Sequence, residues 1–331
     1  MNSSGRFYAR LEGSSADKIP NMNLVMGMVA KCAGVSYRDY VQDYRKLVEG
    51  NLICAERYGF DSVNVVSDPM REASAFGAIV HFPENGVPYS KPHLLEDGLD
   101  LSRVKIVDPL DSPRTLDRIE GVQLLRQKVL LDYPVIGWVE GVLAEVADLR
   151  GVNALMFDLM EENETLHELM ELVYTQQCRF ALEQIRAGAD VIGVGNAVAS
   201  LIGPALYEQH ALVYDKKIVQ FIQGHGAKVK LHICGNITKL LPLLRQVAPD
   251  IIDIDWMVDF REAAKVFSDM NTRVCGNVDP VAVLLQGDKA LVEREINACA
   301  AVDNAMVAAG CEVPAATPEE NLLLMDKLLY L

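Results

Sequence analysis

The run KVKLHICGNITKLLPLL, residues 228–244, sets His232 and Cys234 two positions apart where an apolar stretch meets a glycine. Side chains at i and i+2 of a strand point to the same side, so imidazole and thiol can face one way while Ile233 faces the other. Another cysteine, Cys311, ends a second apolar run, AMVAAGC at 305–311. One imidazole and two thiolates suit zinc, and three protein ligands leave a fourth position for water, substrate or a displaceable side chain. The competing reading is packing, since a strand-end His or Cys is often buried or hydrogen-bonded without any metal. The choice turns on whether the fold brings Cys311 to His232.

The elements that would do so are legible as short Val- and Ile-rich runs, each followed by a longer segment with helical spacing. They fall at 61–69, 134–141, 190–196, 228–235, 251–256, 273–280 and 305–311, and IPNMNLVM at 19–26 is a candidate eighth. Near-continuous apolar runs alternating with helices read as a parallel sheet covered on both faces. A chain of 331 residues accommodates eight such pairs, and the expected fold is therefore α/β, a single (β/α)₈ TIM barrel over residues 1–331. Residues 1–19 form an N-terminal cap in this reading. Residues 70–112, with several prolines and glycines, form an insertion after the second strand. The segment from Tyr207 to Gly224 should be helical, and Thr317 should cap a helix that begins near Pro318.

A barrel gathers the polar residues that end its strands at one mouth. Those residues are Asp68, Glu140, Asn196, His232, Cys234, Asp255, Asn277, Asp279 and Cys311. Cys275, on the same strand side as Asn277, is a lesser ligand alternative. GVGNA at 193–197 lacks the third glycine of a dinucleotide fingerprint, and no dedicated cofactor-binding residues are assigned.

Composition narrows the partners. Lys and Arg number 31 against 46 Asp and Glu, a formal net charge of −15, which disfavours nucleic acid and anionic lipid. No stretch reaches the roughly 20 apolar residues of a membrane span, and MNSSGRFYARLEGSS lacks a signal-peptide core. A cytoplasmic location is expected. Seven cysteines, an odd number, then read as mostly buried thiols rather than a disulfide framework.

LHICGNITKLLPLL, GNVDPVAVLLQGD (276–288) and AAGCEVPAATPEEN (308–321) resemble three consecutive motifs of the uroporphyrinogen decarboxylase-like superfamily. The resemblance is to its zinc-dependent, corrinoid-linked methyltransferase branch, which includes methylcobamide:coenzyme M methyltransferases and the methyltransferase I components of O-demethylases. It extends through GADVIGVGNAVASLIGPALYEQH (188–210) and, more loosely, to FYARLEG near the start. It implies that His232, Cys234 and Cys311 hold zinc, and that the partners are a corrinoid protein carrying the cobalt and a small methyl donor or acceptor. A homodimer is left open. The Arg-Gln-Ala-Gly-Arg signature of true uroporphyrinogen decarboxylases is absent, so the implied activity is methyl transfer. Where relatives often carry an Asp, this chain has Asn196, which can orient a substrate but supplies no charge.

The remaining roles follow from chemistry. Glu140 in WVEGVLAE could take the fourth metal position or deliver a proton to a departing oxygen, or simply cap the next helix. Asp255 in IDIDW could orient His232, or bond a loop amide. Asn277 and Asp279 in GNVDP could face substrate, although DP is also an ordinary helix start. Asp68, Arg71 and Glu72 in SDPMREAS could line the pocket or bind the corrinoid partner, with a solvated charge cluster as the default reading. Within the methyl transfer that the resemblance implies, methoxylated aromatics are the first substrate class, with Phe76, Phe82 and Trp138 as a candidate aromatic pocket, and thiols such as coenzyme M the second. The rivals are a decarboxylase of a porphyrin-like or other carboxylated substrate and a non-catalytic corrinoid sensor.

Overall fold

The computed structural model describes residues 1–331 except Glu162 and Asn304. Among the described residues, seven parallel strands form one sheet in chain order: β1 (Val63–Asn64), β2 (Val135–Glu140), β3 (Val191–Gly195), β4 (Lys228–Ile233), β5 (Ile251–Ile254), β6 (Arg273–Val278) and β7 (Met306–Ala309). Each lies within an expected run. Helices such as Pro113–Val129, Glu164–Arg186 and Leu212–Gly224 connect successive strands. The result is a curled, TIM-like barrel.

The expected eighth strand is reduced to one parallel bridge between Asn21 and Val307. Side chains interrupt its ladder. Asp61 Oδ2 takes the Asn21 amide at 2.9 Å, and Asn23 Oδ1 accepts from Ala309 N at 2.7 Å, where a strand would offer a carbonyl. The segment still reaches both ends of the sheet, because Met22 N donates to Val307 O and Asp61 N donates to Asn21 O.

The N-terminal helix Ser3–Leu11, capped by Asn2, buries Phe7 and Leu11. These side chains pack with Ile136, Val191, Ile251, Cys275 and Met306 from five strands, forming an inner cluster separate from the main helix-sheet core. Burying each large apolar side chain there is worth roughly 1.5–3 kcal/mol.

Within β3, glycine makes room for a neighbour. A Cβ on Gly193 would lie 2.1 Å from the Trp138 ring, so GVG accommodates an indole and not a dinucleotide.

Two local expectations change, and the expected helicity of Tyr207–Gly224 holds with a different first turn. Residues 70–112 open with the helix Met70–Phe76, nearly all of it buried, so the first part belongs to the packed framework; a Leu101–Arg103 turn and a His81–Tyr89 bridge follow. The Tyr207–Gly224 segment begins as a π-turn over Tyr207–Ala211 before the α-helix Leu212–Gly224. The last helix is Glu319–Leu328 with Pro318 at its cap position, and Thr317 makes no capping bond. Among the described residues no helix is long and apolar enough to cross a membrane.

Candidate metal centre

On β4, alternation places Lys230 and His232 together on the barrel's inner side while Ile233 joins the outer core. The strand ends at Ile233, and the chain turns at Gly235, whose φ of 84° lies in the left-handed region. Cys234 sits on that turn, with its sulfur 3.1 Å from His232 Nε2.

Cys311 arrives from the far end of the sequence, two residues beyond β7. Its sulfur is 3.7 Å from that of Cys234. The three donor atoms lie within 4.8 Å of one another, and two sulfurs each about 2.3 Å from a tetrahedral zinc would stand roughly 3.7 Å apart. The donor types and the sulfur separation therefore fit zinc. The thiols behave as a pair sharing one proton: the hydrogen bond from Cys234, followed by the nearby His232, holds the Cys311 thiol well below its ordinary range, and Cys234 is correspondingly raised. A thiolate is the form a metal binds.

The residue beside His232 is Asp253, its register partner on β5. Asp253 Oδ2 lies 2.9 Å from His232 Nδ1, off the ring's N–H axis, and 3.3 Å from Lys230 Nζ. Burial disfavours its charge, but Lys230 and His232 hold its pKa below the usual carboxylate value. Sequence reasoning passed over it in favour of Asp255. Asp255 lies past the end of β5, where its two oxygens accept from Gly235 N and Trp256 N, each at 2.6 Å. It fixes the Cys234 turn and does not touch the ring. The missed signal was IIDIDW itself, which carries two aspartates on one strand side.

Cys234, Cys311 and His232 open into a cavity of about 230 Å³. Leu24, Val66 and Trp138 form a small apolar cluster on its wall, backed by Met26. Two larger hollows, of about 490 and 610 Å³, contain none of the three donors.

Glu140 also lines this cavity, where Arg71 Nη2 meets its Oε1 at 2.8 Å. Burial raises the Glu140 carboxyl, Arg71 opposes the rise and Glu72 adds to it, leaving a pKa of about 7. The charge cluster is interior and not solvated, and Asp68 and Arg71 line this cavity, as the alternative reading has it. Asp68, Arg71 and Glu72 are each at most 3 % exposed, because Arg71 sits between Glu72 and Glu140 while Arg114 reaches Asp68 Oδ2 at 2.5 Å. Glu312, next to Cys311, is a further lining carboxyl that the sequence reading did not single out.

The other expected site residues lie elsewhere. Gly195 and Ala197 line the cavity, but Asn196 between them turns its carboxamide to Asp215, donating to both carboxylate oxygens at 3.0 Å. Asn277 Nδ2 donates to Val258 O at 2.6 Å and braces the turn after β5. Asp279 accepts from Val281 N and Ala282 N, the ordinary helix start. Cys275 is buried with the inner cluster and is not part of the donor group. Of the expected aromatic pocket only Trp138 lines the cavity; Phe82 instead packs over the Arg114 guanidinium.

With this geometry in view, comparison with known proteins is informative. The sequence profile of the uroporphyrinogen decarboxylase (URO-D) family matches residues 2–328. The chain belongs to that family. It is 30% identical over 326 residues to methylcobamide:CoM methyltransferase MtbA of Methanosarcina mazei, covering 97% of this chain and 95% of the relative. A uroporphyrinogen decarboxylase of a Geobacter species is 25% identical over 72% of this chain and 69% of its own length. In fold, the chain is similar to a solved methyltransferase from Methanosarcina mazei, with a TM-score of 0.90, 22% identity and coverage of 99% and 98%.

Proposed function

We propose that this family member is a methyltransferase that moves a methyl group between a small substrate and the cobalt of a separate corrinoid protein, with zinc held by His232, Cys234 and Cys311. The observation that carries the reading is the grouping of one imidazole and two thiols at the wall of an apolar cavity. The 30% identity to a relative named for methylcobamide and CoM supports it.

When bound, zinc would supply a Lewis acid that favours a thiolate or a departing oxygen anion. The chain's own residues do the rest. Asp253 steadies the His232 ring from its Nδ1 side and leaves Nε2 facing Cys234. Glu140, titrating near neutrality, can hold or release a proton at the substrate heteroatom, and Arg71 fixes its position. Leu24, Val66 and Trp138 keep water from the reacting atoms.

A cavity of about 230 Å³ falls below the roughly 300–1,000 Å³ usual for drug-sized ligands, which favours a small methyl carrier over a tetrapyrrole. Methoxylated aromatics are the first substrate class, with Trp138 as the aromatic surface, and thiols are the second. The corrinoid protein would dock over the barrel mouth.

The test combines zinc analysis with a spectroscopic screen in which cobalt(I) corrinoid and candidate methyl donors are mixed with the protein. Appearance of the methylcobalt absorption with zinc-loaded protein is expected. Full activity without metal would overturn the zinc assignment, and silence with every donor would favour the sensor reading.

A further inference from the structure

We infer that the cavity accepts an uncharged methyl carrier, such as a neutral thiol, a phenol or their methyl derivatives, and rejects one that carries a sulfonate or carboxylate. The inference rests on the methyltransferase reading for the reacting atoms. Its own premises are the charges and hydrogen-bond partners around the cavity.

Arg71 is the sole guanidinium or ammonium among the described residues that line it. That side chain is fully buried, with both terminal nitrogens hydrogen-bonded and Nε, which makes no hydrogen bond, held in an ion pair. Nη2 meets Glu140 Oε1 at 2.8 Å, Nε lies 3.3 Å from Glu72 Oε2, and Nη1 donates to the Asp68 carbonyl. Withdrawing it toward a ligand would strand buried carboxylates, a strongly unfavourable exchange.

Three carboxyls, those of Asp68, Glu140 and Glu312, line the same space. A divalent zinc bound by two thiolates sums to zero charge and does not reverse this balance. The polar lining groups also have internal partners. The Tyr37 hydroxyl donates to Ser67 O at 2.5 Å, and Glu312 Oε1 accepts from Gly27 N at 2.7 Å. What remains is the wall of Leu24, Val66 and Trp138. A sulfonate entering here would lose its hydration, find no cation free of buried carboxyl partners and face a wall of acidic and apolar side chains, whereas a neutral ligand loses little.

The inference separates this chain from its relative named for CoM, a thiol that ends in a sulfonate. Matched ligand pairs isolate the charge. Calorimetric titration of the zinc-loaded, full-length protein would compare 2-mercaptoethanol with 2-mercaptoethanesulfonate, and 2-methoxyphenol with 2-methoxybenzoate. The neutral member of each pair is expected to bind at least about tenfold tighter. Glu312→Gln, which removes one repelling carboxyl, should narrow the gap by admitting the anion better.

Equal or tighter binding of the anionic members would overturn the inference, as would failure of both neutral ligands to bind. These titrations need no cobalt. A protein that prefers neutral ligands yet never methylates cobalt would sink the methyltransferase reading alone, and one that methylates cobalt while favouring the sulfonate would sink this inference alone.

Discussion

Asp253 on β5 stands opposite His232 on β4 in the strand register, its Oδ2 2.9 Å from the ring's Nδ1. The same carboxylate faces Lys230 Nζ at 3.3 Å, and Lys230 in turn donates to Met22 O at 3.1 Å. The ring is thereby held from behind by an interior charge pair, with Nε2 left for the thiol side.

Asp253→Asn should weaken zinc binding by about 10–100-fold, the usual range for loss of a carboxylate behind a metal-bound histidine. Competition against a chromophoric chelator measures it. Asp255→Asn is the contrast, because Asp255 bonds the Gly235 and Trp256 amides and not the imidazole. An unchanged affinity in folded Asp253→Asn would remove Asp253 from the positioning role.

Cys311→Ala should lose bound zinc during purification or on mild chelation, since it deletes one of three donors. Cys275→Ala should keep its zinc, because that thiol packs in the inner cluster with Phe7 and Ile136. Metal analysis of the two variants beside wild type decides. Full zinc content in Cys311→Ala would take the last strand out of the centre.

The pH dependence has a sign that follows from Glu140. Burial raises its carboxyl to about 7 against the pull of Arg71, so it carries its proton below that pH and is a carboxylate above it. If it protonates a departing oxygen, transfer from a methyl ether to cobalt should slow as pH rises through about 7, and the reverse transfer should quicken. Glu140→Gln should flatten both profiles. Stability follows the same sign: the folded state binds more protons than the unfolded between 4.5 and about 7, so this group's contribution falls as pH rises across that window. Urea midpoints at pH 5.5 and 8 for wild type and Glu140→Gln would reveal that difference.

Much of this arrangement was readable in the chain because parallel strands with two covered faces leave a periodic apolar signature, and a barrel dictates where their ends go. The meeting of His232, Cys234 and Cys311 at one mouth follows from that pattern, while zinc as their ligand is what the family resemblance implies. Asp253 was not readable, because register between two strands depends on where each begins, and a one-dimensional pattern does not give that offset. Asp68, Arg71 and Glu72 read as solvated because charge runs usually are; their burial depends on Arg114 and Glu140, which are distant in sequence. The missing eighth strand has a local cause in Asn21, Asn23 and Asp61, whose side chains replace ladder partners.

Gly310 gives the last prediction, since it joins β7 to Cys311 at a point where the chain passes close to the turn after β5. A Cβ there would lie 2.3 Å from Trp256 N and 2.9 Å from the Asp255 carbonyl carbon. Both are main-chain atoms, so a rotamer change cannot relieve the clash, and one of the two segments must move. The Trp256 amide is held by Asp255 Oδ1 at 2.6 Å, while Gly310 N donates to Val278 O at 2.8 Å. Gly310→Ala should therefore cost about 1–3 kcal/mol of stability, typical of overpacking, and displace Cys311 from its 3.7 Å approach to Cys234. The protein should fold yet bind zinc more weakly than wild type. Gly224→Ala, where an added Cβ meets nothing within 4 Å, controls for the substitution itself and should leave zinc binding alone. Wild-type zinc affinity in Gly310→Ala would show that the 255–256 turn does not set the position of Cys311.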